Sequence, residues 1–93
     1  MVVFVEDEET LRRLGETILS RMGFEVSAHE NAESALIAIQ ESSRLVLLAT
    51  DMSLPGMSGV QLAHQMRALG IGVPILLMSG HDEEEIEEAG GVP

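Results

Sequence analysis

Short apolar runs alternate along this chain with longer segments in which apolar residues recur every three or four positions. The runs are rich in aliphatic and β-branched residues, which favour strands. The predicted strands are Val2–Val5, Phe24–His29, Leu45–Thr50 and Val73–Ser79. The first and third runs are apolar throughout, as expected for strands that are buried on both faces of a sheet.

The segments between the strands have the apolar spacing of amphipathic helices. The first stripe comprises Leu11, Leu14, Ile18 and Met22. The second stripe comprises Ala32, Ala35, Leu36 and Ile39, and the third comprises Val60, Leu62, Ala63, Met66 and Leu69. Asn31 and Ser58 are the predicted N-caps of the second and third helices. Gly23 and Gly70 are the predicted ends of the first and third.

A fourth, short acidic helix is predicted over Glu83–Ala89, with Asp82 as its cap and Gly90 and Gly91 as its end. The complete alternation of strand and helix predicts an α/β fold. Right-handed crossovers between parallel strands then place helices on both faces of a doubly wound sheet. We expect residues 1–93 to form a single domain.

Composition limits the classes of function. The formal net charge is −11, so direct binding of nucleic acid by this chain is not expected, whereas a cation or a basic partner is. The chain has no Cys, which removes thiolate metal sites and disulfides. No apolar run has the length of a membrane span, and no signal peptide is recognisable. These features predict a cytoplasmic protein.

Acidic and hydroxyl side chains stand where the predicted strands end. Glu6 and Asp7 follow the first strand, Asp51 follows the third, and Ser79 closes the fourth. Ligands of doubly wound sheets bind beyond the carboxyl ends of the strands, and in the strand order 2-1-3-4 the first and third strands are neighbours. The three carboxylates should therefore converge, so that either the pKa of one of them rises or a cation neutralises them. Mg²⁺ suits such an all-oxygen set, with Asp51 as a nucleophile toward phosphorus and Ser79 as a partner of the phosphoryl group.

Each of these features has a simpler interpretation when taken alone. The acids around Glu6 and Asp7 suit a helix N-terminus, Asp51 suits a turn, and a hydroxyl before glycine suits a loop. What favours a site is their coincidence at one edge of one sheet. His29, His64 and His81 lack the spacing of metal ligands and are predicted to be surface residues.

The chain resembles the receiver domains of two-component response regulators. The resemblance rests on "VVFVEDEE", "TDMSLPGMSG" and "VPILLMSG", and in the second segment Pro55 and Gly59 follow Asp51 by four and eight residues. It implies a flavodoxin-like fold with the strand order 2-1-3-4-5. It also implies that Asp51 accepts a phosphoryl group from the phosphohistidine of a histidine kinase or a phosphotransfer protein.

Further roles follow only from this resemblance. Glu6, Asp7, Asp51 and the backbone carbonyl of Ser53 would bind Mg²⁺, and Ser79 would be the hydroxyl that moves toward the phosphoryl group. "LLMSGH" and the closing "GGVP" are similar to receivers at the C-terminus of hybrid sensor kinases.

The sequence departs from the family in one respect. Receivers use a Lys at the end of a fifth strand and an aromatic residue on that strand, but this chain contains no Lys and no Tyr. We therefore expect a truncated receiver that lacks the fifth strand and the last helix, with weaker stabilisation of the phosphoryl group. The fourth strand would then be an exposed edge through which two copies could pair as a homodimer.

Three functions are compatible with these patterns. The first is phosphoacceptance in a phosphorelay, which is self-catalysed and not an enzymatic turnover. The second is a receiver-like module that binds partner proteins without being phosphorylated. The third, an aspartyl-phosphate phosphohydrolase, is disfavoured because Ser53 stands where a second acidic residue would be needed.

Overall fold

The computed structural model describes residues 1–79 and 86–88. The strands are β1 (Val2–Val5), β2 (Val26–His29), β3 (Leu47–Asp51), β4 (Ile75–Met78) and β5 (Ile86–Glu88). The helices are α1 (Glu9–Arg21), α2 (Ala32–Glu41) and α3 (Gly59–Ala68). The predicted N-caps hold, because the side chains of Asn31 and Ser58 each accept a hydrogen bond from the first turn of the following helix.

The strands form one sheet in the order β2-β1-β3-β4-β5, and the first four are parallel. The predicted doubly wound order 2-1-3-4 is therefore confirmed. In the register of β1, Val5 lies opposite His29 on one side and Thr50 on the other. The residues that follow β1 consequently emerge beside the end of β3.

The end of the chain differs from the prediction. The short helix was predicted over Glu83–Ala89, but Ile86–Glu88 form a strand that pairs antiparallel to β4, with Met78 opposite Ile86. Seven residues separate the two strands, too few for the crossover of a dozen or more that a parallel strand needs. The remainder of that predicted helix, with Asp82, Gly90 and Gly91, lies outside the described residues.

This pairing also changes the expectation for the edge of the sheet. The outer edge of β4 was predicted to be exposed, but over Leu76–Met78 its backbone groups are paired with β5. An unpaired strand edge is a row of unsatisfied donors and acceptors, which explains why a nearby segment covers it. Homodimerisation through the sheet edge stays a prediction, and it would have to involve β5 or displace it.

The core lies between the sheet and the two helices α2 and α3, which cover one of its faces. These two helices pack against each other and bury small and aliphatic residues against β1, β3 and β4. The buried helix residues are Ala32, Ala35, Ile39, Leu62, Ala63 and Met66. All four residues of β1 are buried, which agrees with its uninterrupted apolar run.

Helix α1 lies on the opposite face, because the chain reverses direction across the sheet between β2 and β3. None of its residues is buried. The predicted stripe is half exposed, at 51% for Leu11, 54% for Leu14, 49% for Ile18 and 65% for Met22. Among the helices of the described residues, none has the length and apolar character needed to cross a bilayer.

Candidate functional site

Three carboxylates meet at the carboxyl edge of the sheet. Glu6 and Asp7 follow β1, and Asp51 is the last residue of β3. One oxygen from each of the three side chains lies within 4.8 Å of the other two. The structure thus brings together the three acids that the strand order predicted to converge.

Hydrogen bonds from Thr50 and from the start of α3 fix the backbone at Asp51 and Met52. The hydroxyl of Thr50 donates a hydrogen bond to the Asp51 carbonyl at 2.9 Å, and the N–H of Gly59 donates to the Met52 carbonyl at 3.0 Å. A Cβ atom at Gly59 would overlap the carbonyl of Asp51. Glycine at this position therefore allows α3 to begin directly against the backbone that carries the Asp51 side chain.

The backbone around Glu6 is fixed from two sides. Its N–H donates to the His29 carbonyl at 3.0 Å, which continues the pairing of β1 with β2. The guanidinium of Arg12, one turn into α1, donates to the Glu6 carbonyl at 3.0 Å. The Glu6 carboxylate itself accepts the N–H of Glu8 at 3.1 Å.

Burial and neighbouring charge act together on Glu6. The residue is only 8% exposed, and this desolvation is the largest cause that raises the pKa of its carboxyl above the ordinary value of 4.5. The charges of Asp51, Asp7 and Glu8 raise the pKa further, while the hydrogen bond from the Glu8 backbone opposes them. A bound cation would favour the charged carboxylate and so offset both the desolvation and the repulsion between the acids.

The donor set suits a small hard cation. All three side chains offer oxygen, which Mg²⁺ prefers, and Oδ1 of Asp51 is buried within the site. One oxygen from each side chain lies within 4.8 Å of the other two, so the three carboxylates are close enough for one cation to be shared among them. The residues present therefore fit the ion that the family resemblance implies.

Ser79 and Ser53 stand at different positions around this cluster. Ser79 follows β4 and lines the same groove as Glu6 and Asp51. The Met52 N–H donates to the Met78 carbonyl at 3.0 Å, which keeps the ends of β3 and β4 together. Ser53 is exposed and lies in the loop between β3 and α3, two residues beyond Asp51. The roles assigned to both serines stay predictions.

The histidines depart in part from their prediction as surface residues. His64 is exposed, and His81 lies outside the described residues. His29 is partly buried, and its ring nitrogens lie 2.8 Å from the Ser27 hydroxyl and 2.6 Å from the Ser34 hydroxyl. Desolvation lowers the pKa of this imidazole below its ordinary value of 6.5. It is a residue of the β2 edge and not a member of the carboxylate cluster.

Several supporting residues escaped the analysis of the sequence. Arg12 and Thr50 act through backbone carbonyls, and a hydrogen bond to a carbonyl leaves no recognisable motif. Glu33 of α2 contacts the loop that follows Asp51, which requires knowledge of the loop path. Gly59 is the exception, because its spacing of eight residues from Asp51 is part of the resemblance described above.

Comparison with known proteins identifies the family. The family model described as the response regulator receiver domain matches residues 2–90. The chain belongs to this family. It is 37% identical over 82 residues to the transcriptional regulatory protein FixJ of Rhizobium meliloti, which covers 88% of this chain. It is 36% identical over 88 residues to the two-component response regulator PhoP of Pseudomonas aeruginosa, which covers 92% of it.

Solved receiver structures agree with the fold. The FixJ-N crystal structure superimposes with a TM-score of 0.78 at 35% identity and covers 88% of this chain and 65% of its own. The receiver domain of the hybrid histidine kinase CckA superimposes with a TM-score of 0.79 at 30% identity and covers 87% of this chain and 76% of its own. This receiver spans about two-fifths of the length of its curated relatives, namely 40% of FixJ and 39% of PhoP.

Proposed function

We propose that this receiver accepts a phosphoryl group on Asp51 from the phosphohistidine of a histidine kinase or a phosphotransfer protein. The observation that carries the proposal is the convergence of the Glu6, Asp7 and Asp51 carboxylates at the edge of the sheet. The membership of the chain in the receiver family supplies the class of reaction. The proposal includes a cytoplasmic location and partners that are proteins and not nucleic acid.

In the proposed reaction an Asp51 carboxylate oxygen forms a bond to phosphorus while the phosphorus–nitrogen bond of the donor breaks. The electron pair of that bond stays on the imidazole nitrogen of the donor, and the product on this chain is an acyl phosphate. Bound Mg²⁺ would neutralise phosphoryl oxygens and orient them. Its ligands would be Glu6, Asp7, Asp51 and the backbone carbonyl of Ser53.

The remaining residues act by position. Thr50 and Gly59 fix the backbone of the nucleophile, so that the attacking carboxylate starts from a defined place. The Ser79 hydroxyl, which lines the same groove, would donate a hydrogen bond to a phosphoryl oxygen. Arg12 would hold the Glu6 backbone while the Glu6 side chain contacts the cation.

The test is phosphorylation of the purified chain by acetyl phosphate with and without Mg²⁺, followed by intact mass spectrometry. We expect one phosphoryl adduct that requires Mg²⁺ and is absent from Asp51→Asn, which keeps the size of the side chain but not its charge. A Glu30→Gln variant, also a single acid-to-amide change, should be phosphorylated like the wild type.

The outcomes separate the alternatives. An adduct that persists in Asp51→Asn would place the phosphoacceptor elsewhere. A folded wild-type protein that binds Mg²⁺ but forms no adduct with acetyl phosphate or beryllofluoride would instead indicate a module that binds partners without being phosphorylated. Steady hydrolysis of an added phosphomonoester would indicate a phosphohydrolase.

A further inference from the structure

Glu33, in the first turn of α2, reaches across to the loop that follows Asp51. We define this β3–α3 loop as residues 52–58. The Met57 N–H donates a hydrogen bond to Oε2 of Glu33 at 3.1 Å. The two residues are 24 positions apart in the chain, so this bond joins two separate elements across the sheet edge.

The loop is shaped to receive this carboxylate. Gly56 adopts a φ of +76°, a left-handed conformation that side chains other than glycine rarely adopt. A Cβ at Gly56 would also lie 2.8 Å from Oε2 of Glu33, closer than such atoms approach. Glycine at this position therefore provides both the turn and the space that Glu33 occupies.

Other contacts hold the two ends of the loop. At the first end, the Met52 carbonyl accepts the N–H of Gly59. At the second end, Ser58 and Gln61 exchange side-chain and backbone hydrogen bonds in a capping box. Leu54 is buried in the core between these ends. Glu33 adds a hydrogen bond at Met57, so the loop is held at this point as well as at its two ends and at Leu54.

Ser53 lies in this loop, between Asp51 and the segment that Glu33 holds. We propose that Glu33 is a positioning residue, which directs the Ser53 carbonyl toward the cation by fixing the β3–α3 loop through Met57. The inference rests on the proposed function for the identity of the cation. It adds a residue that touches neither the cation nor the phosphoryl group but sets the affinity of the site for Mg²⁺.

Charge offers a different explanation, which the experiment must separate. Glu33 lines a cleft together with Glu30 and Asp7, so its negative charge alone could attract a cation. Glu33→Ala removes both the charge and the acceptor oxygen. Glu33→Gln removes the charge and keeps an acceptor, and Glu30→Gln removes a charge from the same cleft while leaving the Met57 bond in place.

The first measurement is Mg²⁺ binding by isothermal titration calorimetry. A net hydrogen-bond contribution of about 1 kcal/mol corresponds to roughly a fivefold change, so Glu33→Ala should weaken Mg²⁺ binding by roughly threefold to tenfold. Glu33→Gln and Glu30→Gln should both stay close to the wild type.

The second measurement is nuclear magnetic resonance of the wild type and each variant. Exchange of the Met57 amide with solvent should be faster in Glu33→Ala than in Glu30→Gln. The ¹³C shift of the Ser53 carbonyl should respond to Mg²⁺ in the wild type and respond less in Glu33→Ala. Amide spectra recorded without Mg²⁺ show whether each variant is folded, and Glu33→Gln supplies a conservative variant if Glu33→Ala is not.

The inference is wrong if Glu33→Ala and Glu30→Gln weaken Mg²⁺ binding equally, because charge would then explain the effect. It is also wrong if the Met57 amide exchanges equally fast in all variants. Failure of the proposed function looks different: the wild type would bind Mg²⁺ with the predicted dependence on Glu33, yet form no phosphoryl adduct.

Discussion

The two faces of the sheet are packed very differently. On one face α2 and α3 bury aliphatic and small residues, among them Ile39, Leu62 and Met66, which are 0–1% exposed. On the other face α1 buries none of its residues, and Leu14 is 54% exposed. Both faces had been predicted from stripes of the same period, so the pattern identified the helices without showing how fully each would be covered.

The reason lies in what stands beside each helix. Helices α2 and α3 cover the sheet and also cover each other. Helix α1 approaches the sheet through Gly15, where a Cβ would overlap the ring of Phe4, and through the bond from Arg12 to the Glu6 carbonyl. An apolar stripe predicts which side of a helix faces the protein, whereas the helices and strands beside it determine how fully that side is buried.

The largest expected effect comes from the packed face. Leu62→Ala should lower the free energy of unfolding by about 2–5 kcal/mol, because it leaves a cavity that the surrounding core cannot fill. The matched change on the open face, Leu14→Ala, should cost less than about 1 kcal/mol. Urea denaturation followed by circular dichroism measures both. Equal losses would show that Leu14 is covered in solution.

A smaller effect is expected where α1 touches the sheet. Gly15→Ala gains about 1 kcal/mol of helix propensity but forces the Phe4 ring to move, which costs about 1–3 kcal/mol. We therefore expect a net loss of about 1 kcal/mol in the same denaturation experiment. Gly72→Ala is the control, because a Cβ there meets no atom within 4 Å. A gain in stability for Gly15→Ala would mean that α1 does not rest on Phe4.

The pH dependence of the free energy of unfolding tests Glu6, a buried residue that follows β1 and whose carbonyl is bonded to Arg12 of α1. Burial raises the pKa of Glu6, so the protonated form stabilises the fold, and this contribution is lost as the pH rises through the folded-state pKa. Glu6→Gln should therefore gain stability relative to the wild type as the pH rises above about 4, the ordinary range of a Glu carboxyl, in buffer without Mg²⁺. A difference that does not vary with pH would contradict this account.

The smallest effect on stability is expected for Ile18→Gln, since Ile18 is 49% exposed on the α1 stripe. The free energy of unfolding should change by no more than about 0.5 kcal/mol. Fluorescence of the dye ANS, which binds exposed apolar surface, should nevertheless fall, because the apolar surface of the stripe becomes smaller. Val46→Gln is the control, because Val46 is also an exposed apolar residue but does not belong to α1. Equal fluorescence changes would locate the dye elsewhere.

The fold was predictable from local patterns because burial and period determine most of it. Continuous apolar runs identified β1 and β3, and the alternation with helices predicted parallel strands. The order 2-1-3-4 rests on the common arrangement of doubly wound sheets, and the structure has it. From that order the meeting of Glu6, Asp7 and Asp51 followed without side-chain detail.

What could not be predicted depends on the path of the chain in space. The acidic composition of Ile86–Glu88 suits a helix, but the open edge of β4 outweighs this local preference and β5 forms instead. The hydrogen bond from Met57 to Glu33 likewise forms only because the β3–α3 loop meets the start of α2. The sequence contains no pattern that indicates this contact.

Strand β1 has a consequence for synthesis of the chain on the ribosome. All its residues are buried, and it lies between β2 and β3. Its second neighbour is complete only at Asp51, 46 residues after Val5. At roughly 5–20 residues per second, this apolar segment waits roughly 2–9 s for that neighbour. During this interval "VVFV" is a segment that a chaperone could bind, although in the folded protein it is inaccessible.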